Sequence, residues 1–189
     1  MLFNLLIQQP QVLGQIIQNT PFWVWALLTG LLGLGGSQIF DRQVSLVRAM
    51  VMPVAMTGLS VYGLVSAFGA SGPAGAVLGA WLLAAALIAA LALWFQPTAP
   101  KGTHYAGSSR SFYIPGSAMP LVLILGIFLT KYFVGVELAM QPALAGDGGF
   151  ALQIAVLYGV FNGLIAARSW RLLRLARENA PRAATTASA

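Results

Sequence analysis

Hydrophobic residues in this chain occur in long, almost uncharged runs with short polar segments between them. A membrane core of about 30 Å is crossed by roughly 20 apolar residues of helix. Five runs meet that length, and they are continuous, whereas barrel strands show alternating hydrophobicity. The pattern predicts an all-α fold, a polytopic transmembrane helical bundle with five spans at about 22–40, 49–68, 76–95, 119–139 and 149–168.

The polar and apolar pattern also predicts three regions. Residues 1–21 form an outer amphipathic N-terminal segment, in which Leu and Ile recur near helical spacing with Asn and Gln between them. Such a segment lies in the membrane interface or packs on the bundle. Residues 22–168 are the five-helix transmembrane domain, and residues 169–189 are a basic cytoplasmic tail.

Composition supports the membrane class and limits the chemistry. The chain is 58% hydrophobic and 7% charged, whereas soluble domains carry about 25% charged residues. It has four carboxylates, one His and no Cys. Without thiols there are no disulfides or thiolate metal sites, and a lone His104 cannot form a multi-histidine centre. We therefore expect no metal, no cofactor and no enzymatic activity.

The basic residues predict the orientation. Lys and Arg in short loops are retained on the cytoplasmic side, and nine of the ten basic side chains fall in the first loop, the third loop and the tail. We expect the N-terminus outside and the C-terminus inside, in a multi-pass membrane protein. The nine residues are Arg42, Arg48, Lys101, Arg110, Arg168, Arg171, Arg174, Arg177 and Arg182.

The tenth basic residue, Lys131, falls near the middle of the fourth span. A Lys at that depth costs about 2.5–3.5 kcal/mol, and the outer edge is roughly 12 Å away. Tyr158 and Asn162 share one face of the fifth span, and Thr57 and Ser60 reach similar depth in the second. These five residues form a candidate intramembrane polar site. Alternatively, their hydrogen bonds hold helices together, at about 0.6 kcal/mol each.

Arginines recur at every third position where the fifth span continues into the tail. Basic residues beside an anionic leaflet gain about 1 kcal/mol each. The predicted partners are therefore the lipid bilayer and anionic lipid at the cytoplasmic face. Nucleic acid is not expected, because no recognition fold or aromatic platform accompanies the charge. The membrane-surface residues are Arg168, Arg171, Arg174 and Arg177.

Small residues at four-residue spacing predict close helix contacts. We expect packing within the chain first, and a homo-oligomer through the same faces second. The faces are Thr29, Gly33 and Ser37; Gly75 and Gly79; and Ala155, Gly159, Gly163 and Ala167.

The third loop predicts a short hairpin. His104 and Tyr105 face Phe112 and Tyr113 across a Gly-Ser-Ser turn, a composition that favours chain reversal. Ser117 follows as the expected cap of the fourth helix.

Several motifs resemble a known family. Lys131-Tyr-Phe-Val-Gly-Val136 after Pro115-Gly-Ser117, together with Thr20-Pro-Phe-Trp-Val24, is similar to a family of small proteobacterial inner-membrane proteins known only as a domain of unknown function. The similarity covers nearly the whole chain. It implies a multi-pass protein of the bacterial inner (cytoplasmic) membrane and adds no activity. A fainter similarity, in the basic loop followed by a Pro-containing helix, is to CcdC-type membrane proteins.

Two functions remain open from the sequence. The first is a structural or accessory membrane protein whose polar groups serve packing. The alternative is a small transporter or permeation protein that uses the midplane site around Lys131. An enzyme is not expected, because Glu137 and Asp147 are predicted outside and His104 inside, so no acid–base pair forms.

Overall fold

The computed structural model describes Gly14 and residues 17–69, 74–107 and 111–186. Most of the predicted N-terminal segment, the hairpin turn 108–110 and residues 187–189 lie outside the described residues. The chain is mostly helical, as predicted. In chain order the elements are α1 (Phe22–Gly36), β1 (Arg42–Ser45), α2 (Leu46–Phe68), α3 (Ala74–Phe95), β2 (His104–Ala106), β3 (Ser111–Ile114), α4 (Met119–Met140), a 3₁₀ turn (Pro142–Gly146) and α5 (Gly148–Thr186).

Helix length separates α1 from the other helices. By length and composition, α2, α3, α4 and the Gly148–Asn179 part of α5 are able to cross a membrane. The run predicted as the first span, 22–40, is helical only over 15 residues, about 22 Å at 1.5 Å per residue. Helix α1 ends at Gly36, and the amide of the following Ser37 donates a hydrogen bond to the Gly33 carbonyl. Four of the five predicted spans therefore reach crossing length.

The helices expose large apolar side chains over much of their surface. Phe22 is 85% exposed, Leu83 73% and Trp94 84%. A soluble monomer rarely exposes contiguous apolar area of this kind. This is the surface that helices need when lipid surrounds them.

The first of two compact units consists of Met1–Ile39 and Ser117–Leu144. Its helices α1 and α4 run antiparallel. Before α1, the Thr20 hydroxyl hydrogen-bonds the Tyr132 hydroxyl. After α1, the Ser117 amide donates to the Gln38 carbonyl at 3.0 Å. Gly35 lets the helices approach, since a Cβ there would lie 2.5 Å from Leu121 Cδ1.

The second unit consists of Phe40–Gly116 and Ala145–Ala189, and its central contact joins α3 to α5. A Cβ on Gly159 would lie 2.5 Å from the Trp81 carbonyl, and one on Gly163 2.5 Å from the Ala85 carbonyl. Both helices advance by four residues in the same direction, so they run parallel. The small-residue face of α5 is thus used within the chain. A homo-oligomer through the other small-residue faces stays a prediction.

Helix α2 joins the same unit. Trp81 Nε1 on α3 donates to Ser60 Oγ on α2 at 3.1 Å, and the rings of Phe68 and Phe150 meet edge to face at 5.9 Å. Helix α2 begins directly after β1, with Ser45 Oγ accepting from the Arg48 amide at 3.3 Å. The end of β1 is therefore also the cap of a long apolar helix.

A three-stranded antiparallel sheet corrects the all-α expectation. Its strand order is β1-β3-β2. The predicted hairpin is confirmed, with His104 opposite Tyr113 and Tyr105 opposite Phe112. Strand β1 was missed, because its four residues contain one apolar side chain and give no readable alternation. The α4 cap was also misplaced by one residue: Ala118 is the cap, although Ser117 Oγ accepts from the Met119 amide at 3.2 Å.

The α3–α5 contact leads to a test. We expect Gly159→Ala to destabilise the protein by about 1–3 kcal/mol, because the added methyl group overpacks a backbone contact. Gly79→Ala is the matched control, since nothing lies within 4 Å of a Cβ at Gly79. Thermal unfolding in detergent should show a lower midpoint for the first variant only. Equal midpoints for both variants would contradict the parallel α3–α5 contact.

Candidate functional site

The three-stranded sheet packs on the C-terminal half of α5. Phe112 is fully buried at 0% exposure, and Val44 and Ile114 lie beside it. On the helix, Leu172 and Ala176 complete this small core. We call the sheet together with residues 168–179 of α5 the basic platform.

Alternation along the strands explains which side chains face the helix. Val44, Phe112 and Ile114 alternate with exposed residues, because successive strand residues point to opposite faces. Leu172 and Ala176 are four residues apart and so share one helix face. The outer face carries Gln43 and His104, both paired in register with Tyr113. The platform thus has an apolar inner face and a polar outer face.

One carboxylate fastens the ends of the sheet. The Tyr113 hydroxyl donates to Asp41 Oδ2 at 2.6 Å, and the Gly116 amide donates to Asp41 Oδ1 at 2.7 Å. The Tyr113 and Gly116 hydrogen bonds lower the pKa of the Asp41 carboxyl. The same hydrogen bond to Asp41 raises the pKa of the Tyr113 phenol. Asp41 therefore ties the residue before β1 to the segment after β3.

The first loop, the third loop and the tail converge at this end of the second unit. Arg42 lies in β1, Lys101 lies three residues before the start of β2, and the tail arginines lie on α5. Arg174 and Arg177 are exposed, as a surface role requires. Arg174 Nε lies 2.8 Å from Glu178 Oε1 in an exposed pair, which contributes little stability. The strands and residues 168–179 therefore carry five of the ten Lys and Arg side chains of the chain.

Arg171, which is predicted as a membrane-surface residue, also contacts the end of α3. Its Nη2 donates to the Ala92 carbonyl at 2.6 Å, and its Nη1 donates to Gln96 Oε1 at 3.4 Å. An arginine at a helix C-terminus satisfies open carbonyls and complements the helix dipole. Arg171 thus fastens the end of α3 to α5, and nothing in the sequence pattern identifies this pairing.

The predicted intramembrane residues are distributed over both units. Lys131 is an exposed residue of α4 in the first unit. Tyr158 and Asn162 on α5 and Ser60 on α2 are buried, and Thr57 is half-buried, all in the second unit. A site that joins Lys131 to the other four stays a prediction.

The contacts of the buried members join helix to helix or stay within one helix. Asn162 Nδ2 donates to the Tyr158 carbonyl at 2.8 Å, and Ser60 accepts from Trp81. Such contacts are of the kind that the packing interpretation expects. Trp81 was not identified from the sequence, because an apolar-run pattern gives no information on which helix its indole N–H meets. Among the described residues, no group of three or more His, Asp or Glu side chains is placed to hold a metal ion.

Comparison with known proteins places the chain in a family. The model of the family of unknown function DUF6622 matches residues 1–183. The chain belongs to this family. That agrees with the predicted resemblance to an uncharacterised membrane-protein family. No solved structure matches the chain.

One curated relative is the anti-sigma-F factor NrsF of Caulobacter vibrioides (strain NA1000 / CB15N). It is 28% identical over 160 residues, which cover 85% of this chain. The chain spans 60% of the length of that relative. The relative is not a CcdC-type protein.

The buried aromatic of the platform gives a second test. We expect Phe112→Ala to cost about 3–5 kcal/mol within the sheet, because it leaves a cavity at a fully buried position. Phe40→Ala is the control, since Phe40 is 74% exposed just before β1. Hydrogen exchange measured in detergent should accelerate in the three strands for Phe112→Ala alone. Unchanged exchange would show that the sheet does not depend on this core.

The Asp41 contacts give a pH-dependent test. The folded-state pKa of Asp41 is lowered, so its contribution to stability is present above the unfolded pKa of about 3.9 and is lost as the pH falls through the folded value. We expect Asp41→Ala to lower the unfolding midpoint and to speed exchange of the Gly116 amide at pH 7. The difference from wild type should vanish at low pH. A difference that persists there would indicate a role unrelated to the carboxylate.

Proposed function

We propose that this protein is an accessory protein of the bacterial inner membrane that holds a cytosolic sigma factor at the basic platform. The observation that carries the proposal is the sheet buried against α5 at the end where the basic segments converge. The C-terminus lies inside in this proposal, and the predicted outer N-terminus additionally requires the 15-residue α1 to cross the membrane.

The geometry supports a platform outside the bilayer. Strands β1 and β2 are edge strands, and open sheet edges do not occur in the hydrocarbon region. Helix α5 has 39 residues, about 58 Å, which exceeds the roughly 30 Å core. The helix therefore continues beyond the membrane and carries the sheet. Since retained basic residues mark the cytoplasmic side, the platform faces the cytosol.

Charge supports a protein partner with acidic segments. Lys101, Arg174 and Arg177 are exposed on or beside the platform. A positive surface steers an acidic partner and suppresses basic ones. Strands β1 and β2 are the edge strands of the sheet, and edge strands carry backbone groups to which an extended segment can pair.

Similarity supports the class of partner. The relative named anti-sigma-F factor is matched over 85% of this chain. A sigma factor is a cytosolic protein, so binding it requires a surface on the cytosolic side, which the platform supplies. The accessory role predicted from the sequence then has a specific form: sequestration of a transcription factor at the membrane.

The test is co-expression of the tagged full-length chain with each sigma factor of its own genome. We expect one sigma factor to co-purify in detergent and its reporter transcription to fall. Arg177→Glu should weaken capture about tenfold, or 1.4 kcal/mol, because it places a like charge before an acidic partner. Arg182→Glu makes the same charge change beyond the platform and should retain capture. If no sigma factor co-purifies and no reporter changes, the proposal is wrong.

A further inference from the structure

Helices α1 and α4 of the first unit differ in length and are level at one end. Helix α4 has 22 residues, about 33 Å, and α1 has 15 residues, about 22 Å. Gly35, near the end of α1, approaches Leu121 in the first turn of α4. The Ser117 amide, just before α4, donates to the Gln38 carbonyl, just after α1. The difference in length therefore falls entirely at the other ends of the two helices.

A hydrogen bond shows how far α1 reaches along α4. The Thr20 hydroxyl, two residues before α1, bonds the Tyr132 hydroxyl. Helix α4 continues for eight more residues, to Met140, which is about 12 Å. The length of α4 matches the roughly 30 Å thickness of a hydrocarbon core. When α4 spans the membrane, α1 therefore starts well below the surface at the Met140 end.

Polar residues collect at the level where α1 starts. Asn19 is exposed just before α1, and Lys131 is exposed beside Tyr132. Helix α4 has two charged residues, Lys131 and Glu137, and both lie within its last ten residues. The preceding part of the helix, residues 119–130, has none. Helix α4 thus changes from apolar to polar at the level where its neighbour begins.

The backbone at the start of α1 also requires a polar environment. Pro21, the residue before the helix, gives no side-chain hydrogen bond to the first amides. Such amides have no carbonyl partner within the helix, and open backbone groups occur at membrane depth only inside protein or beside a water-filled cavity. Phe22 and Trp23 are 85% and 65% exposed, so the described residues do not enclose this turn. Water is the partner that remains.

We infer that a water-filled crevice opens at the Met140 end of α4 and reaches down to the start of α1. Thr20, Lys131 and Tyr132 form its floor. Small hydrophilic solutes enter it from that side of the membrane. The Lys131 ammonium is hydrated in this crevice and so avoids the cost that hydrocarbon imposes on a charge. In the orientation of the proposed function, the Met140 end is the outer end.

The test is single-cysteine labelling of the full-length chain, whose sequence contains no Cys. We expect Asn19→Cys and Lys131→Cys to react with a membrane-impermeant, charged methanethiosulfonate in sealed vesicles. Leu82→Cys is the matched control, because Leu82 is 60% exposed and lies eight residues from the start of α3. That is the same distance as Tyr132 from the end of α4. Since the hydrated thiolate is the reactive form, both crevice variants should react at least about tenfold faster than the control.

A further cysteine marks the side of the membrane from which the reagent enters. Ala118→Cys is at the other end of α4, at an exposed position. The crevice variants should react from the side opposite to the one that labels Ala118→Cys. Labelling as slow as that of Leu82→Cys, or labelling from the Ala118 side, would contradict the crevice. If Lys131→Cys does not fold, Gly135→Cys should give the expected result, since nothing lies within 4 Å of a Cβ there.

The same vesicles judge the proposed function separately. Right-side-out and inverted vesicles show which compartment labels Ala118→Cys, and the proposed function requires the cytosolic one. Labelling of Ala118→Cys from the outer compartment would refute the cytosolic platform. The crevice depends only on the opposite sidedness of Ala118→Cys and Lys131→Cys and on the rate difference from Leu82→Cys.

Discussion

The close approach of α3 and α5 through Gly159 and Gly163 determines much of the second unit. Lipid tails are as apolar as Leu side chains, so helices associate in membranes by close packing and not by the hydrophobic effect. The contact fixes the rotation and height of α5 against α3. Arg171 then reaches the end of α3, and Leu172 comes to the level of the sheet. A slip of one residue would rotate α5 by about 100° and move Leu172 away from Phe112.

The sequence predicted the elements that depend on the pattern of neighbouring residues. Continuous apolar runs indicated the long helices, and alternation on both sides of a Gly-Ser-Ser turn indicated the β2–β3 hairpin. The early end of α1 was not predicted, because an apolar run does not show where a helix ends. Strand β1 was not predicted either, because it is defined by its pairing with β3. The contacts of Ser60 with Trp81 and of Arg171 with Ala92 join residues 21 and 79 positions apart. No spacing rule relates such residues.

The scarcity of carboxylates explains the character of the platform. Three of the four carboxylates serve as structural ties, holding the sheet ends, the start of α5 and Arg174. The five arginines of the platform give it positive charge, which suits the acidic partner proposed for its exposed face.

The platform continues directly from two of the helices, α2 and α5. Ser45 is both the last residue of β1 and the cap of α2, and α5 runs without interruption from Gly148 past Ala176. A tethered domain would bind its partner independently of the membrane segment. Here a displacement of α2 against α5 must shift β1 against Leu172, because each is fixed to one of these helices. In the proposed function, binding at the platform is therefore coupled to the packing of α2 and α5.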